Sequence, residues 1–226
     1  MQPDYELLIF DWDGTLADSI GRIVEAMRQA AVLSAMPVRD DPAIKGIIGL
    51  GLPEAIRTLY PDISGNELLD FRQRYADCYM ALDVEPSKLF DDVLNSLEHF
   101  RAQGYRLAVA TGKARRGLDR VLKAHGWTDY FDITRAADET ASKPDPLMLH
   151  EILEHCGVKA DKALMVGDSS FDLQMARNAG MDSVAVGYGA QALASLRAYE
   201  PRLEIDHFSE LRAWLGTRSA ESSLLG

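Results

Sequence analysis

Two acids stand one residue apart in the stretch LIFDWDGTL, residues 8–16, where an apolar run gives out at Asp11 and Asp13. If the run is a strand, side chains two residues apart leave the same face. Two carboxylates then converge where the chain turns. That arrangement suits a divalent cation together with a nucleophile or a proton carrier. D-x-D-G also has a plainer reading, because Asp and Gly form turns and Asp caps helices. A calcium loop likewise opens D-x-D, but needs Gly at its sixth position and Glu at its twelfth. Counted from Asp11, those positions hold Leu16 and Arg22. A turn and a reactive site both remain open on these residues alone.

Such a pair needs a sheet behind it. Leu7 to Phe10 is a short continuous apolar run, as in a strand buried on both faces. Asp18 and Ser19 are helix-start residues, and Ile20, Ile23, Val24, Met27 and Ala31 follow at helical spacing. A second helix begins at Pro53 with Ala55, Ile56 and Leu59 on one face. A third carries Leu68, Leu69, Phe71, Tyr75 and Tyr79. Residues 17–84 therefore read as a helical insert, a cap domain, between core segments 1–16 and 85–226. The core then alternates. Helical stretches end at Gly104, Gly126, Gly157 and Gly180, and strands run Arg106–Ala110, Ala163–Val166 and Ser183–Val186. Alternation of this kind predicts right-handed βαβ units and an α/β fold with a parallel sheet. Ligands then bind beyond the carboxyl ends of the strands, where Asp11, Thr111 and Asp168 all fall. Residues 217–226, TRSAESSLLG, read as a flexible tail.

Composition narrows the function. With 47% hydrophobic and 26% charged residues in 226, the chain reads as an ordinary soluble one, expected in the cytoplasm. A net charge of −11 argues against a nucleic-acid partner, since phosphate backbones need clustered Lys and Arg. It leaves room for a small phosphorylated metabolite, because a bound cation reverses the field inside one pocket. Cys78 and Cys156 are far apart and form no C-x-x-C pair, so neither a disulfide framework nor a cysteine zinc site is expected. No apolar run approaches membrane-spanning length. A monomer or a homodimer is expected.

Four segments carry polar groups to the same end of this sheet: DWDGT at Asp11, ATGK at Thr111, SKPDP at Lys143, and GDSSFD at Asp168 and Asp172. Each has a bland reading. The Thr111 hydroxyl could bond its own turn, Lys143 could be a solvated loop lysine, and Asp168 and Asp172 could cap the next helix. Taken in this order, the set resembles the haloacid dehalogenase superfamily, and more closely its phosphoglycolate phosphatase-like branch with a helical cap. The resemblance covers nearly the whole chain apart from the tail. It implies a Rossmann-like doubly wound parallel sheet with the cap inserted after the first motif.

It also implies a division of labour. Asp11 is the nucleophile that forms an aspartyl phosphate. Asp13 protonates the leaving alkoxide and then takes a proton from water. Mg²⁺ is held by Asp11, the Asp13 backbone carbonyl and Asp168, with Asp172 supporting directly or through water. Thr111 and the Gly112 N–H hold phosphate oxygens, and Lys143 neutralises charge on Asp11 and the phosphoryl group. Dehalogenating relatives lack the second acid, so Asp13 points to phosphate esters. The implied activity is a Mg²⁺-dependent phosphatase on a small phosphomonoester, with 2-phosphoglycolate the family's default. A pyrophosphatase, a phosphosugar mutase and a non-catalytic phosphate-binding module remain as alternatives.

For substrate contacts the cap loop KGIIGLGLPE is the candidate. Its glycines lack dinucleotide-binding spacing and instead suit a turn before the Pro53 helix. Lys45 could reach the substrate's far end or be a surface lysine. Lys113, Arg115 and Arg116 could line the pocket rim or a solvated helix start. The Met and aromatic residues of the cap helices read as cap core, and Trp12 as core packing.

Overall fold

The computed structural model describes residues 4–222, with side chains through residue 216. Strand β1 (Leu7–Phe10) is followed by four helices, α1 (Ile20–Leu33), α2 (Asp41–Lys45), α3 (Leu52–Leu59) and α4 (Gly65–Leu82). Then come α5 (Val93–Ala102), β2 (Arg106–Thr111), α6 (Arg115–Ala124), β3 (Ile133–Ala136) and α7 (Leu147–Cys156). The chain finishes with β4 (Ala163–Gly167), α8 (Ser170–Asn178), β5 (Asp182–Val186), α9 (Leu193–Leu196), β6 (Leu203–Ile205) and α10 (Phe208–Ser222). The six strands form one sheet in the order β3-β2-β1-β4-β5-β6, every neighbouring pair parallel. This is the doubly wound Rossmann-like order, and its switch point lies between β1 and β4, where connections leave in opposite directions.

Along each central strand successive side chains alternate between two apolar clusters. Leu8, Phe10, Leu107, Val109, Leu164 and Val166 join one apolar cluster with Phe100 and Phe208 of α5 and α10. Leu7, Ile9, Ala108, Ala110 and Met165 join another with Met148, Ile152 and Met175 of α7 and α8. Helices thus cover both faces, which is why the strands read as unbroken apolar runs. Trp12 follows this alternation. It is 1% exposed, sits in the first cluster, and meets Trp127 edge-on at 6.1 Å between ring centroids. Its packing role agrees with the sequence reading.

Helices α1 to α4 bury a separate apolar cluster that includes Ile20, Met27, Ile56, Phe71 and Tyr79. Leu69, expected on the buried face of α4, is instead 61% exposed. Asp18–Ser19 and Asp83 flank this run of helices, and each contacts a residue beyond it. The Asp18 N–H donates to the Lys88 carbonyl at 2.9 Å, and Asp83 pairs with both Arg22 and Arg120.

Several elements escape the sequence pattern. Strands β3 and β6 are short, sit at the two sheet edges and mix polar with apolar residues. Helix α2 has five residues and depends on its ends: Asp40 accepts the Ala43 N–H at 3.0 Å, and Pro42 lies in the first turn. Helix α10 runs to Ser222, into the segment expected to be a tail, and residues 223–226 lie outside the described residues. Among the described residues no helix is long and apolar enough to cross a membrane.

Trp12→Ala is expected to destabilise the fold by about 3–5 kcal/mol, the cost of a large aromatic cavity in a packed core. Urea unfolding would check it, and a loss under about 1 kcal/mol would show that Trp12 is not core.

Candidate active site

The switch point gathers the acids. Asp11 follows β1, and its N–H still donates to the Val166 carbonyl of β4 at 3.0 Å. Asp168 follows β4, and Asp172 lies in the first turn of α8. One carboxylate oxygen from each of Asp11, Asp168 and Asp172 falls in a single group with no separation above 4.8 Å, and all three side chains are buried.

Lys143 joins them. Its Nζ lies 2.7 Å from Asp11 Oδ1 and 2.6 Å from Asp172 Oδ1, in a side chain with no exposure. Burial alone would lower the Lys143 ammonium, but the two carboxylates outweigh it and hold the ammonium above its ordinary range. Burial acts on Asp11 in the opposite sense. It pushes the carboxyl up to about 7, against the pull of Lys143 and with help from Asp172 and Asp13. Asp168 is likewise raised well above its ordinary value, by burial first and then by Asp11 and Asp172.

Asp172 fills two roles at once. Its Oδ2 accepts from the Ser169 N–H at 3.1 Å and the Ser169 hydroxyl at 2.6 Å, closing a capping box at the start of α8. Its other oxygen faces Lys143. The capping reading of this residue is therefore correct, and the same side chain also pairs with Lys143. Asp168 accepts from the Ala190 N–H at 2.6 Å and the Thr15 hydroxyl at 3.4 Å. Gly14 makes room for it. A Cβ there would come within 2.1 Å of Asp168 Oδ2, and its φ of +80° is one that glycine adopts without strain.

Asp13 turns away from this group. Its Oδ1 accepts the Ser19 hydroxyl at 2.5 Å and lies 2.9 Å from Lys113 Nζ. Its side chain is thus not among the three grouped carboxylates that could hold a metal. Lys113 also reaches the Tyr79 hydroxyl at 3.4 Å and lies 5.0 Å from that ring's centroid. The Thr111 hydroxyl accepts the Lys113 N–H at 3.2 Å, the local turn bond that its bland reading expects.

The loop after α2 descends on this cluster. A Cβ on Gly112 would lie 2.6 Å from the carbonyl oxygens of both Gly49 and Leu50, so only glycine admits so close an approach. The Gly51 N–H donates to Ser142 Oγ at 2.8 Å, next to Lys143. A cavity of about 510 Å³ runs from Asp11 and Asp13 past Gly112 and Lys113 to the helices of the insert.

Asp11, Asp13, Gly112, Lys113 and Arg116 all line this cavity, and the cap loop lines it as expected. Lys45 does not: it is exposed, at the end of α2, and is not among the cavity's lining residues. Arg115 binds Thr134, Glu139 and Asp119 on the β3 side. Met27 and Tyr79 lie in the apolar cluster of α1 to α4 as expected, with Tyr75 packed against it, and these three also line the cavity together with the exposed Met80. The sequence reading missed Ser19, Ser169 and Thr15 as carboxylate partners. Their signal was local in part, a hydroxyl three residues before Asp172 and six after Asp13.

Comparison with known proteins agrees with this geometry. Residues 8–186 match the model of the haloacid dehalogenase-like hydrolases. The chain belongs to that family, on its phosphoglycolate phosphatase-like branch. It is 36% identical to "Probable phosphatase IndB" of Dickeya dadantii, over 91% of each chain. It is 31% identical to a phosphoglycolate phosphatase of Vibrio parahaemolyticus, over 93% of this chain and 96% of that one. A haloacid dehalogenase-like family hydrolase from Streptococcus pneumoniae superposes with a TM-score of 0.80 at 25% identity, covering 93% of this chain and 98% of its own.

Lys143→Met should cost about 3–5 kcal/mol, because it leaves Asp11 and Asp172 buried without their shared cation. Asp11→Asn in the same chain should recover part of that loss. Unfolding curves of the wild type, both single variants and the double variant check the coupling; strictly additive effects would contradict it.

Proposed function

We propose that the protein is a Mg²⁺-dependent phosphomonoesterase working through an aspartyl phosphate on Asp11, with helices α1 to α4 as a cap over the site. One observation carries the reading: Asp11 Oδ2 is buried and has no hydrogen-bond partner, while Oδ1 is held by Lys143. An unpartnered carboxylate oxygen in a dry site is costly. Here it belongs to a residue that also lines the cavity.

The donor set fits Mg²⁺. Asp11, Asp13, Asp168 and Asp172 are four carboxylates against two ammonium groups, Lys113 and Lys143, which leaves two more negative charges than positive when all are ionised. Asp11, Asp168 and Asp172 offer hard oxygen atoms in one small group. Bound there, Mg²⁺ would neutralise the charge that otherwise keeps a phosphate from a carboxylate.

The residues of the chain supply the rest. Lys143 fixes Asp11 and leaves its second oxygen to form the bond to phosphorus. As that bond forms, the ester P–O bond breaks and Asp13 gives its proton to the departing alkoxide. Water then attacks the same phosphorus, returns its proton to Asp13 and frees Asp11. Ser19 and Lys113 hold Asp13 in place for both transfers. Thr111 and the Gly112 N–H sit at the end of β2, where phosphate oxygens would be received. The relatives named phosphoglycolate phosphatase make 2-phosphoglycolate the first compound to try.

With Mg²⁺ supplied, a phosphate-release screen over phosphorylated metabolites should find substrates, and Asp11→Asn should lower turnover by at least about 10³-fold while the circular dichroism stays native. Unchanged turnover in Asp11→Asn would sink the mechanism. In a separate measurement, Mg²⁺ at about 100 times its dissociation constant should stabilise the folded protein by about 2.7 kcal/mol. Asp168→Asn should remove most of that gain, and an equal gain in the variant would place the cation elsewhere.

A further inference from the structure

The space beside the two acids is larger and more apolar than a short charged alcohol needs. Its 510 Å³ falls within the range of about 300–1,000 Å³ that takes drug-sized ligands. Ile23, Met27, Ile48 and Leu52 form much of the wall, together with Tyr75 and Tyr79. The two tyrosine rings lie side by side, 6.0 Å between centroids and tilted by 37°. They supply the broad aromatic surface on which a flat group can rest.

Every charged residue of the cavity except the exposed Arg116 is engaged with another side chain. Lys113 is 2.9 Å from Asp13, and Arg120 is paired with the buried Asp83. Gln73 donates to Asp77 at 2.9 Å. Arg116 is at the exposed rim, and Lys45 lies outside the cavity altogether. A substrate carboxylate two carbons from the phosphate would therefore lose its water against apolar wall, a costly exchange without a paired cation.

On the reading that the site is a phosphomonoesterase, we propose that its preferred substrates are phosphate esters of uncharged, ring-bearing alcohols, with the ring seated against Tyr75 and Tyr79. Short carboxylated alcohols such as glycolate are then poor substrates. Phosphate enters the acidic end in either case, so the difference lies in the alcohol alone.

Benzyl phosphate and 2-phosphoglycolate are both alkyl-type esters, and steady-state kinetics with Mg²⁺ present compares them directly. The expected kcat/KM is higher for benzyl phosphate by about tenfold or more. Tyr75→Ala should shrink that ratio by about tenfold, chiefly through KM. A wild-type preference for 2-phosphoglycolate, or equal values, overturns the substrate class and leaves the phosphatase reading standing. A ratio that Tyr75→Ala does not move also overturns it. The wild-type comparison holds even if the variant fails to fold. Release from neither ester, nor from any other phosphomonoester, removes the phosphatase reading and this inference with it.

Discussion

The bridge from Asp11 through Lys143 to Asp172 is the interaction on which the rest of the structure depends. Three elements distant in sequence must meet to form it: the end of β1, the loop before α7 and the first turn of α8. All three side chains are buried, so each charge is tolerable only while the others are in place. The parallel sheet makes this possible. Its order reverses between β1 and β4, and that gap is where the carboxylates and the ammonium group fit. Fold and site are thus joined by one demand, that no member of the triad be left alone in a dry interior.

The same demand separates two acids that look alike in sequence. Asp11 is bound by one oxygen to Lys143, and its other oxygen is unpartnered; burial pushes the group up to about 7. A cation among Asp11, Asp168 and Asp172 would favour their charged forms, which burial now opposes. Asp13, two residues on, is held by Ser19 and Lys113. Lys113 in turn touches Tyr79 of α4, which links the insert to the acid that would move protons. Burial works to lower the Lys113 ammonium, and Asp13 outweighs it to hold that group above its ordinary range. On the proposed mechanism, one acid would form a bond to phosphorus and the other would exchange protons with what enters from the cavity.

The acidic end of the site was readable because its signals are local. Apolar runs that stop on an acid or a threonine mark strand ends, and strand ends mark where ligands bind in this architecture. The alternation that sends Trp12 into the core and its neighbours into the site is also a backbone property, with period two. The far end of the cavity was not readable, because it depends on which long side chains turn inward. Lys45 and Lys113 both follow or enter glycine-containing loops, yet one ends in solvent and the other on Asp13. Tyr75 and Tyr79 have the spacing of helix core, and they are core on one side and cavity wall on the other. Strands β3 and β6 were missed because edge strands need not be apolar on both faces.

The covalent role of Asp11 is the central claim, and oxygen exchange tests it without any alcohol present. Inorganic phosphate labelled with heavy oxygen, incubated with the enzyme and Mg²⁺ in ordinary water, loses label each time it condenses with Asp11, expelling labelled water, and ordinary water then attacks the acyl phosphate. Steady loss of label with the wild type, and none with Asp11→Asn, is the expected result. Label retained by a wild-type enzyme that hydrolyses phosphate esters would mean that water attacks the ester directly and that Asp11 carries no phosphoryl group.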